Sequence, residues 1–285
     1  MALTQLEQDG IAGPFELADK SVIEGIFEVA VELQLLQRQQ NVLAHLAGKD
    51  DLQRHSTLIN RHMAFEPIKQ LFLDSNLQSV VAECFGTDLV LWQSKFFPKY
   101  QGVGENSWHH DRMMENGDDP INLYDTSNHY SFVVALTDLG MEHGRLEYIR
   151  GSHKPIDGLD RDMPRIFDEM PEVVVDMITP LTFKRGEFAV FHSALLHRSL
   201  AYEHQEDDWQ PGYFGAPDPA LRRNADVRAG RISLACRLAR KDTEITERWG
   251  SNPAGLSDAI VEPMPYFTDI SRQVDGDRSV VMPFN

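Results

Sequence analysis

Cysteine is nearly absent from this chain. The two present, Cys84 and Cys236, each sit among apolar neighbours. That excludes a disulfide scaffold and a paired-cysteine zinc site, and both thiols are expected to be buried. Long apolar runs are also missing: none approaches the ~18 residues needed to span a bilayer. The N-terminus, MALTQLEQDGIAGPFELADK, has no basic stretch followed by an apolar one, so no signal peptide is expected. Positive charge is in deficit, with 27 Lys and Arg against 44 Asp and Glu and a formal net charge of −17. A surface this negative repels phosphate backbones and anionic headgroups, which argues against nucleic acid and membrane partners. A reducing cytoplasm is the expected compartment.

What is present is an ordinary globular composition, 42% hydrophobic and 25% charged, over 285 residues. That length suits one large domain with a substantial core. Residues 1–87 read as mainly helical. Val22, Ile23, Ile26, Phe27, Ala30, Val31, Leu33 and Leu36 recur at helical spacing, and a second periodic stretch runs from about Ile68 to Phe85, with Gly86 as its stop. From Asp88 the texture becomes strand-like. DLVLWQSKFFPKY is followed by runs at 129–138, 145–149, 177–183, 187–192, 195–202 and 231–239, with turn-forming stretches between them. Helices first and then many short strands predict a β-sandwich or barrel core over 88–240 with helices outside it. Residues 112–128 and 203–229 are long polar loops, and 241–285 reads as a C-terminal extension.

One short stretch carries chemistry. In Trp108-His109-His110-Asp111, strand alternation sends His109 and Asp111 to one face and His110 away. An imidazole and a carboxylate there need one more histidine from a neighbouring strand. The three would form the facial set of two histidines and one carboxylate that leaves metal positions open, as in non-haem Fe(II) oxygenases. His197 lies on a predicted strand far downstream, with Ser199 on its face, and Arg231 opens a further strand. A guanidinium and a hydroxyl near a metal can hold the distal carboxylate of a dicarboxylic co-substrate. His192 is the alternative distal ligand, and Arg228 and Arg237 are alternatives to Arg231. His45, His55, His62, His129, His143, His153 and His204 read as surface or capping residues.

Several ordered segments of residues 88–240 resemble the phytanoyl-CoA dioxygenase family of Fe(II)/2-oxoglutarate-dependent oxygenases. They are WHHD at 108–111, ALTD at 135–138, GRLEYIRGSHK at 144–154, GEFAVFHSALLHRS at 186–199 and RISLACRLA at 231–239. The chain departs from the family pattern at His110, where glutamine is common, at Arg150, where proline is usual, and in the long interval before Arg231. The resemblance implies a mainly β fold with flanking helices and a double-stranded β-helix (jelly-roll, cupin-like) core. It implies that His109, Asp111 and His197 bind Fe(II). Arg231 and Ser199 would hold the 5-carboxylate of 2-oxoglutarate, and Gln93 and Lys95 on the preceding strand would assist. With O2 as oxidant, it implies hydroxylation or a related oxidation of a C–H bond, releasing succinate and CO2.

Two other functions compete with this one: a cupin-like metal-dependent isomerase or hydrolase, and a non-catalytic jelly-roll binding protein. Arg112, Met113, Asn122, Tyr124, Arg145, Trp209 and Tyr213 are candidate substrate residues from their loop positions. The 203–229 segment is expected to act as a lid. Acidic residues at 115, 118, 119, 203 and 206–208 favour a neutral or cationic small molecule over a polyanionic thioester.

Overall fold

A computed structural model describes residues 1–46, 65–100, 103–111, 129–159, 171–202 and 226–240. Two antiparallel sheets form its centre. The larger has five strands in the order β1 (Ile11–Glu16), β7 (Glu187–His192), β4 (His129–Ala135), β9 (Arg231–Arg240), β2 (Leu89–Lys99). The smaller has four, in the order β3 (Asn106–His109), β8 (His197–Ser199), β5 (Leu146–Ile149), β6 (Ile178–Leu181). Neighbours in each sheet are mostly far apart in sequence, as a jelly roll requires.

The larger sheet packs on both faces, so its strands are largely apolar, with Lys99, Ser131 and Arg231 among the buried polar exceptions. Phe132, Val134, Phe188, Val190, Leu234 and Cys236 face the helices. Val133, Ala135, Ala189 and Phe191 face the smaller sheet, meeting Leu146, Tyr148 and Leu181. The outer face of the smaller sheet is covered in turn by Trp108, Ile149, Leu159, Val174 and Leu196.

The N-terminal part is mainly helical, with α1 (Ala2–Asp9), α2 (Val22–Leu46), α3 (Glu66–Leu71) and α4 (Ser75–Phe85). It also contributes an unforeseen strand. β1 pairs with β7, so the sheet begins well before residue 88. The periodic stretch from Ile68 to Phe85 is two helices and not one. Asp74 breaks it, accepting the Asn76 and Leu77 backbone N–H groups as an N-cap for α4. Cys236 is buried, and Cys84 is half-buried.

Candidate metal and co-substrate site

The two sheets supply different ligands. His109 ends β3 and His197 begins β8, and the two are direct cross-strand partners with ring centroids 4.3 Å apart. His109 Nδ1 lies 2.7 Å from the Ser107 carbonyl, and His197 Nδ1 lies 3.0 Å from that of Leu195. A carbonyl only accepts, so each Nδ1 carries the proton and each Nε2 keeps its lone pair for a metal. Burial pushes the His109 imidazole down to about 3, with His197 adding to the shift, so it is neutral at physiological pH.

Asp111 lies beyond the end of β3 and is placed by the larger sheet. Its N–H donates to the Ser193 carbonyl at 2.9 Å. Arg237 on β9 donates to Oδ1 and Ser131 on β4 to Oδ2, each at 2.7 Å. Burial alone would raise this carboxyl. Arg237, helped by His197 and Ser131, outweighs that and holds it below the usual carboxylate range. One ligand atom from each of His109, Asp111 and His197 falls within 4.8 Å of the others, the only such potential metal group among the described residues. Two imidazoles, that of His109 neutral, and one ionised carboxylate at that separation fit a divalent iron bound on one face.

The same cavity, about 900 Å³ including its mouth, holds a second cluster. On β2, Lys99 faces Arg231 of β9 in direct register. Both are buried, with 3% and 4% of their surface exposed. Lys99 Nζ donates to Ser199 Oγ at 3.0 Å and to the carbonyls of Leu200 and Gly104 at 2.6 and 3.0 Å. Arg231 donates to the Gly144 carbonyl at 2.9 Å, while its Nε has no hydrogen-bond partner among the described residues. Neither cation forms an ion pair among the described residues. Burial pushes the Lys99 ammonium down to about 7, with Arg231 contributing, and lowers Arg231 to about 10. Gly144 makes this packing possible. It sits at φ +70°, and a Cβ there would meet the Leu200 carbonyl at 2.6 Å and the Lys99 side chain at 2.9 Å.

The structure separates the sequence alternatives. His192 lies outside the metal group: it is buried and stacked on His153, with ring centroids 4.8 Å apart. His153 is therefore a core residue and not the surface or capping residue expected. Arg228 is exposed and paired with Glu28 at 2.8 and 2.6 Å. Arg237 holds Asp111, leaving Arg231 as the arginine beside Ser199. Gln93 pairs with Arg237 in the β2–β9 ladder, but its side chain lies outside the described residues. Lys95 sits opposite Ala235 with its ammonium 4.7 Å from the Phe97 ring centre, and it does not line the cavity. Arg145 does not line the cavity itself, although it donates at 2.7 and 3.1 Å to Glu147, which does. Arg112, Met113, Asn122, Tyr124, Trp209 and Tyr213 lie outside the described residues, as does the expected lid apart from 226–229.

Sequence reasoning missed Lys99 and Ser131, and it named Arg237 only as an alternative to Arg231 and not as the partner of Asp111. The signal for Lys99 was strand parity: positions 93, 95, 97 and 99 share one face, and the cation at the strand end is the one that reaches Ser199.

The phytanoyl-CoA dioxygenase (PhyH) family model matches residues 6–203, and the chain belongs to that family. It is thereby a non-haem oxygenase of the Fe(II)/2-oxoglutarate type, with dioxygen as oxidant. No curated protein matches it. Solved structures of similar fold include the non-haem monooxygenase ThoJ in its apo form, with TM-score 0.54, 19% identity and coverage of 85% of this chain and 78% of that one. The 2-oxoglutarate-dependent epimerase SnoN from nogalamycin biosynthesis gives TM-score 0.57, 15% identity, and 84% and 82% coverage. CytC3 with Fe(II) and 2-oxoglutarate gives 0.51, 19%, and 84% and 76%.

Proposed function

We propose that the protein hydroxylates an unactivated C–H bond of a small, neutral or cationic metabolite, with 2-oxoglutarate as co-substrate. One observation carries this reading: a three-ligand metal group shares one cavity with two buried cations that form no ion pair among the described residues. Burying an ammonium and a guanidinium together is costly unless an anion joins them. The 5-carboxylate of 2-oxoglutarate would be that anion, held by Arg231, Lys99 and Ser199.

When bound by His109, Asp111 and His197, Fe(II) supplies the redox chemistry that couples O2 and 2-oxoglutarate to substrate oxidation, with succinate and CO2 as by-products. The chain's own residues bind and orient. The His109 imidazole stays neutral, Asp111 stays ionised, and Val133, Leu146, Phe191 and Leu195 give the cavity an apolar wall that limits water. Asp111 fills the third protein position, which in halogenating relatives is left to a halide. That favours hydroxyl transfer. The acidic balance of the chain supports a neutral or cationic substrate over an acyl-CoA and fits a cytoplasmic setting. No helix among the described residues is long and apolar enough to cross a membrane.

The test begins with anaerobic titration of the protein with Fe(II) and then 2-oxoglutarate, followed by oxygen and a metabolite extract. A product one oxygen heavier, formed with stoichiometric succinate, is expected. Turnover that needs metal but neither 2-oxoglutarate nor oxygen would make the protein a cupin-like isomerase or hydrolase. Binding of neither iron nor 2-oxoglutarate would make it a non-catalytic scaffold. Comparing acyl-CoA thioesters with amine-bearing metabolites, at low and high salt, tests the substrate charge.

A further inference from the structure

Asp111 is gripped from two sides, and both grips come from one rung of the larger sheet. Ser131 and Arg237 are register partners in the β4–β9 ladder. Arg237 donates to Oδ1 and Ser131 to Oδ2, both at 2.7 Å. Ser131 is fully buried, and the Arg237 and Asp111 side chains are 12% and 8% exposed. Among the described residues His109 and His197 are hydrogen-bonded only to backbone carbonyls, so this charged clamp is specific to the carboxylate.

A carboxylate that turns freely about its Cβ–Cγ bond can present both oxygens to a divalent ion. It would then fill a position that a chelating co-substrate needs. Here each oxygen already accepts from a fixed donor, so turning to chelate would break one of those bonds. The guanidinium also withdraws negative charge from the carboxylate, which weakens its hold on a cation.

We propose that Arg237 is a positioning residue of the metal centre: with Ser131 it restricts Asp111 to a single-oxygen contact, keeping adjacent metal positions open for 2-oxoglutarate. The proposal rests on the metal and co-substrate reading above. It assigns Arg237 a role separate from that of Arg231, six residues earlier on the same strand.

The clamp makes two affinities move in different directions. In full-length Arg237→Gln, affinity for Fe(II), or for Co(II) as an air-stable probe, should be equal to or tighter than wild type. The Kd for 2-oxoglutarate in the metal-loaded protein, measured anaerobically by calorimetry, should rise about tenfold or more. The visible charge-transfer band of the Fe(II)–2-oxoglutarate complex should weaken. Arg237→Lys should restore most of the co-substrate affinity, and Ser131→Ala should shift it in the same direction as Arg237→Gln but less. A residue that only supports the fold would lose metal and co-substrate together, with a matching fall in Tm. That result in Arg237→Gln and Ser131→Ala, or wild-type values for both affinities, would overturn the proposal. If the wild-type protein takes up no metal, the metal reading fails and the proposal falls with it. If the wild type binds metal and 2-oxoglutarate normally while the variants show no split, only the clamp is wrong.

Discussion

The metal end and the Lys99–Arg231 end of the cavity handle charge in opposite ways. At the metal end, Asp111 is matched by Arg237 at 2.7 Å, and His109 is held neutral by burial. At the other end two cations face each other in register with no ion pair among the described residues. The first arrangement is complete enough to stand before a metal arrives. The second is unfavourable until an anion binds, because buried like charges repel and have lost their water. The contrast teaches that one strand can serve both a preorganised site and a poised one. Arg237 and Arg231 both lie on β9, and what differs is the residue each one meets.

Breaking the metal end should give the largest effect. His109→Ala or His197→Ala is expected to abolish Fe(II) binding at micromolar metal in a protein that still folds, as read by equilibrium dialysis with circular dichroism as control. His192→Ala should keep its iron despite losing the stacking on His153. Iron retained by His197→Ala and lost from His192→Ala would reverse the ligand assignment.

Breaking the anion end should spare the metal. Removing a buried charge-assisted contact costs roughly 2–5 kcal/mol. Arg231→Ala should therefore raise the apparent 2-oxoglutarate constant by about two orders of magnitude or more, at unchanged iron content. A constant equal to that of wild type would remove Arg231 from the seat.

Lys99 sharpens the comparison through pH. A carboxylate binds the ammonium form, and burial brings that ammonium down to about 7. The folded state disfavours this charged form, so ligand-free stability should rise as pH climbs from about 7 toward the ordinary lysine range. Affinity for 2-oxoglutarate should fall over the same window, by at most about tenfold per pH unit, and be flat well below pH 7. Lys99→Met should bind about tenfold more weakly at neutral pH and lose this dependence, because a contact to a charged donor is worth roughly 1.5–3 kcal/mol. Calorimetry across pH in wild type and variant checks both points. A flat wild-type profile would show that Lys99 does not titrate on binding.

Ser199→Ala should have the smallest effect. It removes one neutral hydroxyl, worth about 1 kcal/mol, or roughly a fivefold weaker 2-oxoglutarate constant. A loss as large as that from Arg231→Ala would mean that the hydroxyl mainly orients the Lys99 ammonium.

The sequence by itself settled the parts that depend on local order. The spacing of His109 and Asp111, the Ser199 step from His197, the strand texture after Asp88 and the deficit of positive charge were all legible there. So was family membership, because WHHD, GRLEYIRGSHK and GEFAVFHSALLHRS occur in order along one chain. Only the tertiary structure decided which distant residues meet. Strand parity fixes the face of a side chain, but its neighbour depends on register, which is set by pairing across the sheet. That is why His197 rather than His192 faces His109, and why Arg237 grips Asp111 while Arg231 meets Lys99. The strand alternation proposed for Asp111 is also replaced by a contact between sheets, since β3 ends at His109, the Asp111 backbone N–H donates to the Ser193 carbonyl, and the carboxylate is held by Ser131 and Arg237. Local pattern named the candidate ligands, and long-range pairing determined their partners.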